Sequence, residues 1–97
     1  MHVIESIGYK LLLNLPEHMR RLLFVELGLE TNEKFVLASL YYLDSKGKLD
    51  EFQYELPVET GLSWSECQAC LERLARLKLI EYTRKHLRLK VKPLTYN

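Results

Sequence analysis

The sequence contains no apolar run approaching the roughly 18 residues that a membrane span requires. Residues 1–15 also lack the basic start and small-residue cleavage site of a secretory leader. These absences predict a cytoplasmic protein with no membrane partner. Cysteine is scarce, with 2 in 97 residues, too few to hold a small domain together by disulfides. Glycine and proline number only 4 and 3 and stand singly, so there is neither a phosphate-cradling Gly-rich loop nor a low-complexity linker. No Ser/His/Asp set or clustered carboxylate pair is recognisable. The expectation is a protein that is not an enzyme and that uses no small-molecule cofactor.

What is present is ample apolar material, 47% of residues, with 28% charged. That composition predicts a single globular domain, 1–97, with one core. The formal net charge of +1 conceals an asymmetry. Residues 1–64 carry 6 Lys/Arg against 10 Asp/Glu, a balance of −4, whereas residues 65–97 carry 8 against 3, a balance of +5. Such polarity suits a small nucleic-acid binder that touches phosphate with one end only. An ordinary solvated surface whose charges cluster accounts for it equally well.

Glycines and prolines mark the element ends. Residues 2–13 (HVIESIGYKLLL) have no clean period and carry Gly8 in their middle, which leaves helix and strand open, with helix favoured. Pro16 suits the first position of a short helix with Met19, Leu22, Leu23 and Leu27 on one face and Gly28 as its stop. Thr31 or Asn32 can cap a further helix that runs through FVLASLYYLDSK to Gly47. Its apolar residues, Phe35, Val36, Leu37, Ala38, Leu40, Tyr41, Tyr42 and Leu43, lie nearly all round the cylinder. This helix therefore needs partners on two sides, the C-terminal part of the domain and N-terminal helices of this chain or of a second copy. Residues 49–56 (LDEFQYEL) alternate in part. They suit either a short strand leading to a helix at Pro57, or a helix from Asp50 to Thr60 kinked at Pro57, with Gly61 closing either one.

Ser63 and Glu66 form the S-x-x-E pattern of a capping box. In the helix that follows, Cys67, Cys70, Leu71, Leu74 and Leu77 share one face, and Ser65, Ala69, Glu72, Arg73 and Arg76 share the opposite one. IEYTR and LRLKV then read as a β-hairpin with Lys85 and His86 at its tip, although no Gly or Asn marks the turn.

The run ELPVETGLSWSECQACLERLARLKLIEY, Glu55 to Tyr82, followed by the basic hairpin, resembles the winged helix-turn-helix domain of bacterial and archaeal transcription regulators and of plasmid or phage replication initiators. The resemblance covers residues 32–92, and Leu74, Leu77, Leu79 and Ile80 fit the family's leucine pattern leading into the wing. Ahead of residues 32–92, the segment 1–30 reads as an N-terminal helical extension that packs or, from the apolar surplus there and on the outer face of helix 32–46, forms a homodimer. The resemblance implies an α+β fold, mainly α with a small β-hairpin wing. It further implies double-stranded DNA as partner, with helix 64–78 in the major groove and hairpin 80–92 on phosphates, in a transcriptional regulator. Replication control and protein–protein interaction are the alternatives, because winged helices serve those roles too. Two features depart from the family pattern. Pro57 stands where an ordinary helix former is usual, and Glu66 and Glu72 make the recognition helix less basic than in many DNA readers.

The resemblance and helix geometry nominate Ser65, Gln68, Ala69, Glu72, Arg73 and Arg76 for base contact. Arg73 or Arg76 can bond guanine O6 and N7, Gln68 can pair with adenine, and a glutamate can accept from cytosine N4. The plainer reading is a solvated face with a Glu72–Arg76 ion pair. For phosphate contact the hairpin offers Arg84, Lys85, His86, Arg88, Lys90 and Lys92. Arg88, Lys90 and Lys92 alternate with Leu87, Leu89 and Val91. A charged edge strand that resists aggregation explains the same residues without a ligand. The CxxC of Cys67 and Cys70 invites zinc or redox chemistry, but zinc needs four ligands, and His2, His18 and His86 are not at paired-ligand spacing. Both thiols also face the core by periodicity, which predicts packing and no metal. Packing is likewise expected of Tyr41, Tyr42 and Trp64, with the DNA backbone as the alternative for Trp64.

Overall fold

The computed structural model describes residue 10 and residues 12–92; most of the N-terminal segment 2–13 lies outside them. The described part of that segment, residues 10, 12 and 13, is helical, and Leu12 and Leu15 are buried. Helix α1, Glu17–Arg21, passes directly into a π-helical turn, Leu22–Glu26. The expected short helix is thus present, but its hydrogen bonding widens at Leu22, where Leu27 N–H reaches back to the Leu22 carbonyl at 2.8 Å. Pro16 is the N-cap rather than the first helical residue.

Helix α2, Thr31–Ser45, is the centre of the fold. Val36, Leu37, Ala38, Ser39, Leu40, Tyr41 and Leu43 are all buried, because the chain covers the helix on several sides. Leu12, Leu15, Leu23 and Leu29 come from the N-terminal segments, and Phe52, Leu56, Leu71, Leu74, Ile80 and Leu89 from the C-terminal ones. Its N-cap is Glu30, not Thr31 or Asn32 as side-chain preferences suggest. The Glu33 carboxylate accepts the Glu30 N–H at 2.8 Å, so an acidic capping box does the work expected of a hydroxyl.

No strand forms over residues 49–56. A 3-10 turn, Leu49–Glu51, leads into helix α3, Phe52–Thr60, which carries Pro57 inside it. Pro57 cannot donate to the Gln53 carbonyl, and the burial of Phe52 and Leu56 sustains the helix in spite of that loss. Gly61 at φ +74° makes the left-handed turn at the Gly-Leu-Ser corner, a conformation that costs a residue with Cβ.

Helix α4, Trp64–Arg76, follows, and it ends two residues before the expected boundary of 78. Lys78 takes the left-handed conformation at φ +63°. The Lys78 and Leu79 N–H groups bond the Ala75 and Leu74 carbonyls at 3.0 and 3.1 Å, which is the Schellman pattern. It directs Leu79 and Ile80 back into the core. Strands β1, Ile80–Tyr82, and β2, Leu87–Leu89, pair antiparallel with Glu81 opposite Arg88. The result is a mainly helical α+β architecture, a helix bundle with one small antiparallel hairpin, consistent with a winged-helix-type fold. Among the described residues, no helix is long and apolar enough to cross a membrane.

Candidate nucleic-acid interface

Helix α4 starts where its sequence says it should. Ser63 Oγ accepts the Glu66 N–H and the Glu66 carboxylate accepts the Ser63 N–H, each at 3.1 Å. This fixed start sets the rotation of the helix. Cys67, Cys70, Leu71 and Leu74 are buried, Ser65, Ala69, Glu72 and Arg76 are exposed, and Gln68 is half-buried. The Glu72–Arg76 ion pair of the plainer reading is not formed in the structure, which leaves Arg76 extended into solvent.

Arg73 is placed differently from the rest of its set. Its Nε lies 3.5 Å from the Glu33 carboxylate, which is buried and already accepts a hydrogen bond at the start of α2. Reading a base with Arg73 would strand that carboxylate without its counter-charge, a costly state in a protein interior. Arg73 therefore ties α4 to α2, and Arg76 is the exposed arginine of the set.

The hairpin turn is Thr83–His86 with Arg84 and Lys85 at its tip, one residue earlier than the expected Lys85–His86. Thr83 N–H donates to the His86 carbonyl at 2.8 Å, and the Thr83 hydroxyl accepts the His86 N–H at 3.2 Å. The threonine side chain thus closes the turn without glycine or asparagine. The Gln53 side-chain amide of α3 donates to the Arg84 carbonyl and holds the tip against the helices. Gln53, Trp64, Gln68, Arg84 and Lys85 line one open cleft of about 380 Å³ between α3, α4 and the wing.

Aromatic packing fixes the walls of this cleft. Phe52 lies 6.3 Å from Trp64 and 5.9 Å, edge to face, from Tyr82, so one buried ring joins α3, α4 and β1. Trp64 is half-buried, as is Tyr42, which lies under the Lys46 ammonium at 5.8 Å. Tyr41 is buried and donates its hydroxyl proton to the Val91 carbonyl at 2.7 Å, which anchors the far end of the wing.

The rest of the wing set does not join the cleft. Arg88, Lys90 and Lys92 are exposed on the face opposite Leu89, as alternation requires. Arg88 is engaged across the strands by Glu81 at 2.6 Å, and Lys92 sits 4.0 Å from Asp44 at the end of α2. His86 is exposed outside the cleft. The structure therefore brings together Gln68, Arg84 and Lys85 beside the exposed face of α4, and adds Gln53 and Trp64. Nothing in the sequence pointed to Gln53, whose hydrogen bond spans 31 residues.

Both cysteines are free and buried. Burial pushes the Cys70 thiol up to about 11, with the Glu33 carboxylate, Cys67, Glu30 and Glu66 adding to it. Burial also raises Cys67, a hydrogen-bonding contact with Thr60 lowers it, and the Glu66 charge raises it. At pH 8 the Cys70 thiolate fraction is then on the order of 10⁻³. Iodoacetamide should alkylate the native chain about 100-fold more slowly than the chain in guanidinium, read by mass spectrometry. Comparable rates would place the thiols on a reactive surface instead. Among the described residues, no three His, Cys, Asp or Glu side chains are grouped to hold a metal ion.

Comparison with protein-family models, with curated proteins and with solved structures gives no match to this chain.

Proposed function

We propose that the chain is a winged-helix DNA-binding protein that acts as a transcriptional regulator, a binding protein rather than an enzyme. Helix α4 enters the major groove of double-stranded DNA and the wing tip holds backbone phosphate. The observation that carries the reading is the shared cleft, in which Gln68 of the helix and Arg84 and Lys85 of the wing line one continuous surface. Base contact then falls to Ser65, Gln68, Ala69, Glu72 and Arg76, and phosphate contact chiefly to Arg84 and Lys85. Gln53 positions the tip through its bond to the Arg84 carbonyl.

Fluorescence anisotropy of a labelled random-sequence duplex at about 50 and 200 mM salt tests this reading. The affinity should fall with a log–log slope of about −0.9 per phosphate neutralised. No binding at micromolar protein in the lower salt would reject it.

Dimerisation through the N-terminal segments belongs to the same proposal. Leu12, Leu15 and Leu23 are used up in the core, so the contact rests on the exposed Leu13 and Val25. Sedimentation should show a dimer that Leu13→Ser/Val25→Ser dissociates, and a monomer at high concentration would remove that part.

A further inference from the structure

Helix α3 turns its inner side, Phe52 and Leu56, into the core and presents an apolar pair to solvent. Tyr54 is 78% exposed and Val58 69%, and the two lie one helical turn apart, so they form a single patch. Scattered exposed apolar residues are ordinary, but a stacked pair on one helix face is a contiguous surface. At about 100° per residue, Glu55 shares this sector with Tyr54 and Val58, and Glu51 stands at the N-cap of the helix.

The surroundings of the pair are acidic. Glu51 is exposed, Glu55 is half-buried, and Asp50 and Glu59 lie at the two ends of the strip. The carboxylates feel one another: burial and then the Glu55 charge raise the pKa of Glu59, with Lys48 acting in the opposite sense. None of these residues lines the cleft beside α4, to which α3 contributes Gln53 alone.

The charge restricts what can cover the patch. DNA phosphates and anionic lipid headgroups are repelled by a row of carboxylates. A second copy docking the same strip by two-fold symmetry would set carboxylates against carboxylates. We propose that the outer face of α3 is a docking surface for a cationic amphipathic helix of another protein. Its apolar side chains cover Tyr54 and Val58, and its Lys or Arg side chains meet Glu51, Glu55 and their neighbours. The surface is separate from the cleft, so both can be occupied at once, and the inference stands whether or not the chain binds DNA.

The test uses the full chain, ¹⁵N-labelled, titrated with a synthetic helical peptide of Leu and Lys at helix spacing. A scrambled peptide of the same composition and a version with Glu in place of Lys serve as controls. Amide shifts should centre on Tyr54, Glu55 and Val58. Affinity should fall about 10-fold with the scrambled peptide and be lost with the Glu version. Tyr54→Ser/Val58→Ser should weaken binding by about 10-fold while the spectrum elsewhere stays native, because both substitutions are at exposed positions. Equal affinity for the scrambled peptide would overturn the proposal, as would shifts centred on other acidic residues. Concentration-dependent broadening of the Tyr54 and Val58 amides without peptide would also overturn it, since a second copy would then cover the face.

Discussion

Replacing both cations at the wing tip, Arg84→Ala/Lys85→Ala, is expected to weaken binding to a random duplex on the order of 50-fold at about 0.1 M salt. It should also make the log–log salt slope shallower by about 1.8, the share of two phosphates. The tip is singled out because its two cations line the same cleft as Gln68, while the Gln53 amide holds the Arg84 carbonyl in place. Arg88→Ala is the matched control. Its guanidinium already faces Glu81 at 2.6 Å in an exposed pair, so a phosphate would have to compete for it, and the loss should stay within about 3-fold. Anisotropy titrations of the three proteins measure both quantities. Equal losses for the tip and for Arg88 would mean that the whole wing acts as an undifferentiated positive surface, and the cleft would lose its special place.

Leu40→Ala is expected to cost about 2–5 kcal/mol of stability, a large part of the roughly 5–15 kcal/mol that a domain possesses. Leu40 is fully buried on α2, the helix that the N-terminal and C-terminal parts of the chain both cover. The cavity therefore opens in a close-packed core that can relax into it only in part. In urea the midpoint should fall by about 2 M with an unchanged slope. Val58→Ala, at a position 69% exposed, should stay within about 0.5 kcal/mol. A Leu40→Ala loss below about 1 kcal/mol would show that the core around α2 is not closely packed.

Much of this molecule was legible in the order of its residues, because the signals involved are local. Ser63 and Glu66 lie three positions apart, so their reciprocal bonds depend on nothing beyond one turn of helix, and the start of α4 and its buried face followed from them. The apolar girdle of α2 likewise announced burial on more than one side. The hairpin appeared in the alternation of Leu87, Leu89 and Val91 with cations. Where local preference misled, a more distant contact had decided. Glu30 and Glu33 cap α2 in place of Thr31 or Asn32, and the same Glu33 carboxylate lies against Arg73 of α4. Pro57 sits within a helix of nine residues that buries Phe52 and Leu56 in the core.

By itself, then, the sequence determined helices α2 and α4, the inward face of α4, the capped corner at Gly61–Ser63 and the concentration of positive charge in the last third. Propensity, periodicity and capping act between residues a few positions apart, and they can be read without coordinates. Only the tertiary structure decided which charges remain for a ligand. It drew Arg73 to Glu33, Arg88 to Glu81 and Lys92 towards Asp44, and it set Arg84 and Lys85 beside Gln68. Most of these placements depend on how elements distant in sequence pack, and a charge neutralised by a neighbour looks, in the sequence, the same as one that is free to bind.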